Sequence, residues 1–374
     1  MKVFINHNIL QWAVNNYPNP LEDKFPKIKY WLQRKDSPSL KQLEKLSSVL
    51  SIPFGVFFLS EIPTISLHIP HYRTVDNRDN FLPSPEHREI IQLVKHKQSW
   101  IKEYFIQIGK EPLSFAKTAV INDDIPSTAN KIRTLFGLNH DWASHFNTWT
   151  DAYKHLIDKC EEAGIFVIIN GIIGNNTHRK LNVKEFRGFV LYDEYAPFIF
   201  INGQDAKAAQ MFTLAHELVH IWTGSSASFD LRNLQSANNE SERFCNQVAA
   251  EFLVPADKLE QHWLSEKNKE NPYQILARYF KVSEIVIARR LQDLNKITQD
   301  NFFVFYNNYI SKEKEKKSSG GDFYNMQVYR IGKRFTETLY TALKEGNLLY
   351  REAYQLTGLW GKTFENFIQK KIIV

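Results

Sequence analysis

Apolar positions recur at helical spacing in three short stretches at the start of the chain. Ile9, Leu10, Trp12 and Ala13 share one face between Asn8 and Asn15, and Pro18 and Pro20 stop that helix. A second helix runs around Pro26 to Gln33, with proline in its first turn and Ile28, Trp31 and Leu32 on one side. The third runs from Ser39 to Leu50 on Leu40, Leu43, Leu46, Val49 and Leu50. The stretch from Ile62 to Pro85 is rich in proline and has no period, which reads as a linker. Helical spacing returns over Pro85 to Ile106 and again from Asn147 to Ala163. At Ile165 the pattern changes to IFVIIN, EFRGFVLYD and PFIFIN, short β-branched and aromatic runs separated by Gly, Asp and Pro, as strands are. Asp205 is then placed to cap a helix through AKAAQMFTLAHELVHIW that Gly224 ends. Another helix spans about Glu240 to Val254, where Pro255 stops it, and further helices cover Asn271 to Asn295. SKEKEKKSSGGD, from Ser311 to Asp322, is a charged linker, and two more helices close the chain. The fold class is α+β: mostly helical, with a small sheet of three or more strands packed beside the 206–222 helix.

Composition adds exclusions. With 43% apolar and 24% charged residues the 374-residue chain is of ordinary globular type, long enough for two or three domains. Its longest apolar runs, such as Pro53 to Leu59, stop well short of the roughly 18 residues that a membrane span needs. The first residues, MKVFINHNIL, lack the apolar core and cleavage site of a signal peptide, so a cytoplasmic location is expected. Cys160 and Cys245 form neither a disulfide framework nor a CxxC knuckle and are expected to be reduced and buried. The net charge is +6, and residues 1–60 carry eight Lys and Arg against four Asp and Glu. That excess suits an acidic partner such as DNA, and equally a solvated basic face.

The chemistry concentrates in AHELVHIW. His216 and His220 are four apart, so on a helix both imidazoles project from one face and can hold one zinc ion. Glu217, one residue on, then lies beside the metal, where it can take a proton from water activated by the ion. This is the HExxH arrangement of zinc peptidases. A catalytic zinc needs a third protein ligand, for which Asp230, Glu240, Glu242, Glu251 and His262 are candidates. Glu242 and Glu251 point opposite ways on one helix, about 180° apart, so only one of them can face the metal. Glu242 is preferred, because Asn246, one turn later, could then accept the outer N–H of a ligating histidine. Glu242 could instead form a capping box with Asn239.

FTLAHELVHIW, ERFCNQVAAEFLVP, EFRGFVLYD and PFIFIN resemble, in this order along the chain apart from the strands that come first, the ImmA/IrrE-type metallopeptidases. The likeness spans roughly Lys117 to Leu294. It implies zinc held by His216, His220 and Glu242, Glu217 as general base, a gluzincin-like domain over 117–300, and proteolysis of a repressor or similar regulator. An extended substrate would add to a strand edge, for which 185–193 and 197–202 are candidates, and Tyr192, Tyr195 or His178 could steady the oxyanion.

The first sixty residues are similar to a contracted Xre-type helix-turn-helix. That likeness implies Lys27, Lys29, Tyr30 and Gln33 in the major groove, with Arg34 and Lys35 on phosphates. It also implies a regulator or antitoxin, partnered by DNA and a cognate toxin, in which zinc serves as a clamp. The remaining divisions are a linker with a long helix over 61–116 and a helical extension over 301–374. Tyr279, Phe280 and Trp360 are expected in the core.

Overall fold

The structure, a computed structural model, describes residues 2–15, 17, 20–50, 52–62, 83–229, 240–311 and 322–372. Asp230, Asn239 and nearly all of the two expected linkers lie outside the described residues.

Near the start, α1 (His7–Asn15), α2 (Ile28–Leu32), α3 (Leu40–Leu50) and a 3-10 turn at Phe54–Phe58 enclose a core of their own. Ile9, Leu10, Trp31, Leu43 and Leu46, positions the helical spacing selects, fill it together with Phe57 of the turn. Next come α4 (Pro85–Gln107), α5 (Ile125–Phe136) and α6 (Trp149–Glu162). Each has an N-cap side chain, Ser84, Asp124 and Thr148 respectively, that accepts the backbone N–H of the helix's third residue.

Strands β1 (Phe166–Asn170), β2 (Ile172–Ile173), β3 (Asn176–Lys180), β4 (Gly188–Leu191) and β5 (Phe198–Asn202) lead into α7 (Lys207–Thr223) and β6 (Ala227–Phe229). Four of them form one sheet in the order β1-β5-β4-β6, with β1 parallel to β5 and the other pairs antiparallel. β2 and β3 make a separate hairpin. Beyond the sheet follow α8 (Glu240–Leu253), α9 (Ala256–Glu266), α10 (Pro272–Phe280), α11 (Glu284–Asp293) and α12 (Gln299–Ser311). The last described helices are α13 (Phe323–Ile331), α14 (Lys333–Lys344), α15 (Tyr350–Thr357) and α16 (Lys362–Lys371).

Up to their terminal asparagines β1 and β5 are apolar, and β4 is buried along its length, because the sheet is covered on both faces. Val167, Ile169, Val190, Ile199 and Ile201 point into the core shared with α5 to α8, α10 and α11. Their alternates Phe166, Ile168, Phe189, Leu191, Phe198 and Phe200 point into a second core built with α4 and α13 to α16. Ring contacts stitch that second layer: Phe198 lies 6.1 Å from Phe335 and 4.7 Å from Phe166 between centroids.

Several expectations change. α5, α9, the β2–β3 hairpin and β6 are additional, and four helices rather than two follow residue 322. The last stretch breaks where glycines take positive φ: Gly332, at +95°, turns α13 into α14, and a Cβ there would lie 3.0 Å from the carbonyl oxygen of Val167. β5 lies between β1 and β4, so 197–202 offers no open edge, and β6 already pairs with β4 at Gly188 to Val190. Trp360 is 59% exposed, whereas Phe280 is buried as expected. Cys160 and Cys245 are free and buried. Among the described residues no helix is long and apolar enough to cross a membrane.

One buried cation sits in the second core. Lys97 donates to the Ile331 carbonyl at 3.3 Å and lies 4.6 Å from the Phe335 ring centroid. Burial pulls its ammonium down from 10.5 to about 7. Between those values the unfolded chain carries a proton that the folded chain lacks, so stability rises with pH across the window and is lost as pH falls towards 7. Lys97→Met is therefore expected to flatten the rise in urea midpoint over that window, a difference of a few kcal/mol at about 1.4 kcal/mol per unit. Parallel midpoint curves for the two proteins would show that the ammonium is not held neutral.

Candidate metal centre

α7 is buried on every side from Gln210 to Trp222, which requires the sheet to come close. Gly188 permits it: a Cβ there would lie 2.6 Å from Cγ2 of Thr213 and 2.8 Å from the Phe200 carbonyl oxygen. The helix begins differently from expectation. Its N-cap is Ala206, with no side-chain cap, while Asp205 takes the guanidinium of Arg187 at 2.5 Å and the N–H of Ala206 at 2.8 Å. The end is as the glycine indicated, with Gly224 left-handed at φ 71°.

That end also shapes the site. The turn brings the N–H of Ser225 to the carbonyl of His220 at 2.9 Å, and so puts the Ser225 hydroxyl 2.9 Å from Nδ1 of the same histidine. Thr223 Oγ1 donates to the His220 carbonyl and lies 3.0 Å from Ser225 Oγ. One proton order satisfies all three contacts: Ser225 donates to Thr223 and accepts from Nδ1–H of His220. On His216, Nδ1 lies 3.0 Å from the amide oxygen of Asn246, which can only accept. Both histidines thus carry their proton on Nδ1 and turn a bare Nε2 inward.

Those two Nε2 atoms are 3.1 Å apart, and the carboxylate oxygens of Glu242 lie 3.2 Å from His216 Nε2 and 3.5 Å from His220 Nε2. Lone pairs meeting at one point repel unless a cation joins them. A tetrahedral ion with bonds of about 2.0 to 2.1 Å holds its ligands about 3.3 Å apart, so the Nε2–Nε2 separation fits such an ion, as does the distance from each histidine to the Glu242 oxygen facing it. Among the described residues this is the group of three donors close enough to share a metal. Both oxygens of Glu217 are buried without a hydrogen-bond partner among the described residues, and burial, with the charge of Glu242 second, pushes its carboxyl well above the usual range. A cation between His216, His220 and Glu242 would offset that cost. The residues therefore fit a divalent metal, and the Glu242 side chain, 13% exposed, is the member that reaches solvent.

The other candidate ligands go elsewhere. Glu251 points away from the site and pairs with Arg290, while Arg133 caps its backbone carbonyl. Glu240 is exposed in the first turn of α8, and His262 lies against Tyr279 at 4.1 Å between rings. Tyr195 packs in the core on the far face of the sheet, and His178 is exposed on β3, whose hairpin leans on α4. Tyr192 donates its N–H to Ser226 at 2.9 Å, and its hydroxyl is 3.5 Å from Glu194. The orienting pair Ser225 and Thr223 was not anticipated, although a glycine and then a serine right after a helix-ending histidine turn are a visible signal for it. Cys245, 3.6 Å from His220 Nδ1, packs beside the same ring.

At the other end of the chain Lys27, Lys29, Tyr30, Gln33, Arg34 and Lys35 are all exposed around α2. Lys27 lies 3.5 Å from Asp36 and Lys29 3.7 Å from Glu22, and Arg34 is left-handed at φ 59°.

Two families match the chain. A domain of unknown function (DUF8813) matches residues 331–370, the helices that cover the far face of the sheet. No curated protein matches the chain. The second match starts in α6, takes in the whole sheet and both helices of the donor cluster, and ends in α11. Residues 160–292 match the IrrE N-terminal-like domain of the Peptidase_M78 family, a match that supports a function of metallopeptidase type.

Proposed function

We propose that the chain is a zinc-dependent endopeptidase that cleaves a regulatory protein such as a transcriptional repressor. The convergence of His216, His220 and Glu242, with both Glu242 oxygens within 3.5 Å of a bare Nε2, carries this reading. Two nitrogens and one carboxylate suit zinc among the divalent ions, and leave a fourth position open. Zinc there supplies Lewis acidity towards water and towards the scissile carbonyl.

The protein's own residues do the rest. Asn246 and Ser225 hold the two imidazoles in the tautomer that presents Nε2. Glu217 takes the proton of the attacking water and returns it to the leaving amine, for which its buried, unpartnered oxygens are suited. An extended peptide would add to the outer edge of β6, the terminal strand of the described sheet on that side.

The test is terminal sequencing by mass spectrometry of a protein extract from the source cells incubated with the full chain. New N-termini are expected with zinc present, absent after treatment with 1,10-phenanthroline and restored by added zinc. Cleavage that ignores the chelator, or no new termini in the zinc-loaded sample, would refute the reading.

A further inference from the structure

A cavity of about 460 Å³ opens beside the donor cluster, walled by α7, α8, α11 and α12. It begins one helical turn from His216, at Phe212 and Thr213, and Asn246 on its wall is the side chain that holds that histidine. The volume is in the range of ligand pockets and exceeds a single side chain, so it suits two neighbouring residues of a peptide. Much of the wall is apolar, from Phe212, Ala209, Ala250, Val286 and Tyr306.

The charged part of the wall is uneven. Arg187 is held by Asp205, Arg289 by Asp293 and Arg290 by Glu251. Arg243 is exposed, lines the cavity, follows Glu242 directly and has no acidic partner among the described residues. Three of the four arginines on the wall are thus neutralised by carboxylates, and Arg243 is the one that gives the cavity its preference for an anionic occupant.

We infer that this cavity is a specificity pocket, which takes an apolar or aromatic side chain of a peptide while Arg243 holds an acidic residue next to it. The inference rests on the peptidase reading for its place beside the reacting groups, and on the charge and shape of the wall for its preference. Regulators carrying an acidic–aromatic pair whose two side chains can reach one cavity are the substrate class it selects.

Binding can be read without turnover on the zinc-loaded full chain carrying Glu217→Gln. Fluorescein-labelled octapeptides with Asp-Phe, Lys-Phe or Asp-Ala at the centre of a Ser/Ala frame serve as probes, followed by fluorescence polarisation. The Asp-Phe peptide is expected to bind more tightly than either of the others. Arg243→Glu should weaken it roughly tenfold and reverse the order of the Asp and Lys peptides, since an attraction becomes a repulsion. Ala209→Phe, which fills the cavity and leaves the charge in place, should weaken the two Phe peptides, bring Asp-Phe down towards Asp-Ala, and keep Asp-Phe ahead of Lys-Phe. Equal binding of the Asp-Phe and Lys-Phe peptides, or an order that Arg243→Glu leaves unchanged, would overturn the inference. The two readings separate cleanly. A chain with Glu217 intact that binds the Asp-Phe peptide with this order but never cuts it keeps the pocket and loses the peptidase. One that cuts Asp-Phe and Lys-Phe peptides alike keeps the peptidase and loses the pocket.

Discussion

Glutamine in place of Glu217 is expected to leave the metal bound and to lower the rate of peptide cleavage by about two to four orders of magnitude, the usual contribution of a positioned acid or base. The substitution isolates one property. The amide has nearly the shape of the carboxyl, and both oxygens of Glu217 are buried without a hydrogen-bond partner among the described residues, so no described contact is removed. What disappears is the ability to accept a proton and give it back. Burial and the neighbouring Glu242 already make the ionised carboxylate costly, so a neutral group should hold or raise thermal stability. Metal content by mass spectrometry, melting temperature and cleavage rate together decide the matter. A variant that cuts at the wild-type rate sinks the general-base role, and one that loses its metal makes Glu217 a support of the centre instead.

Much of this centre is readable from spacing alone, and the reason is local. His216 and His220 share a face because a helix turns 100° per residue, and the same arithmetic sends Glu251 away from Glu242. Neither statement depends on the rest of the fold. The sheet was legible for a related reason: FVIIN and FIFIN open with four apolar residues in a row, as a strand covered on both faces requires. What covers the second face was not legible. Phe335, Leu339 and Phe364 lie more than 130 residues beyond β5, and nothing in their helical period says that Phe198 and Phe200 are their partners. Strand order failed similarly, since β6 is three residues long and its pairing with β4 is a long-range contact. Asp205 shows a third kind of loss. As a helix-start residue it was the natural cap, yet the nearby guanidinium of Arg187 takes the carboxylate, a competition between charges that local sequence does not show.

Alanine at His220 is expected to empty the centre. With one imidazole gone, a divalent ion keeps only His216 and Glu242, and its affinity should fall well beyond the roughly 10- to 100-fold that loss of an orienting partner costs. Ser225→Ala supplies that smaller step for comparison, because it removes the acceptor of the His220 Nδ1–H while all three metal donors remain. The two variants should therefore rank in order: wild type close to one ion per chain, Ser225→Ala weaker but still loaded at high zinc, His220→Ala without metal throughout. Stability gives an independent reading. Metal bound only by the folded chain raises the melting temperature, so added zinc should shift the wild type upwards, Ser225→Ala at higher concentration, and His220→Ala not at all. Without metal the ranking changes character. Two bare nitrogens 3.1 Å apart beside a carboxylate are mutually repulsive, and deleting one relieves that repulsion at the expense of a small cavity. His220→Ala should accordingly cost the metal-free protein much less than it costs the zinc-loaded one. Equal losses in both states would mean that the imidazole serves packing alone, and that the three donors meet for a reason other than a metal.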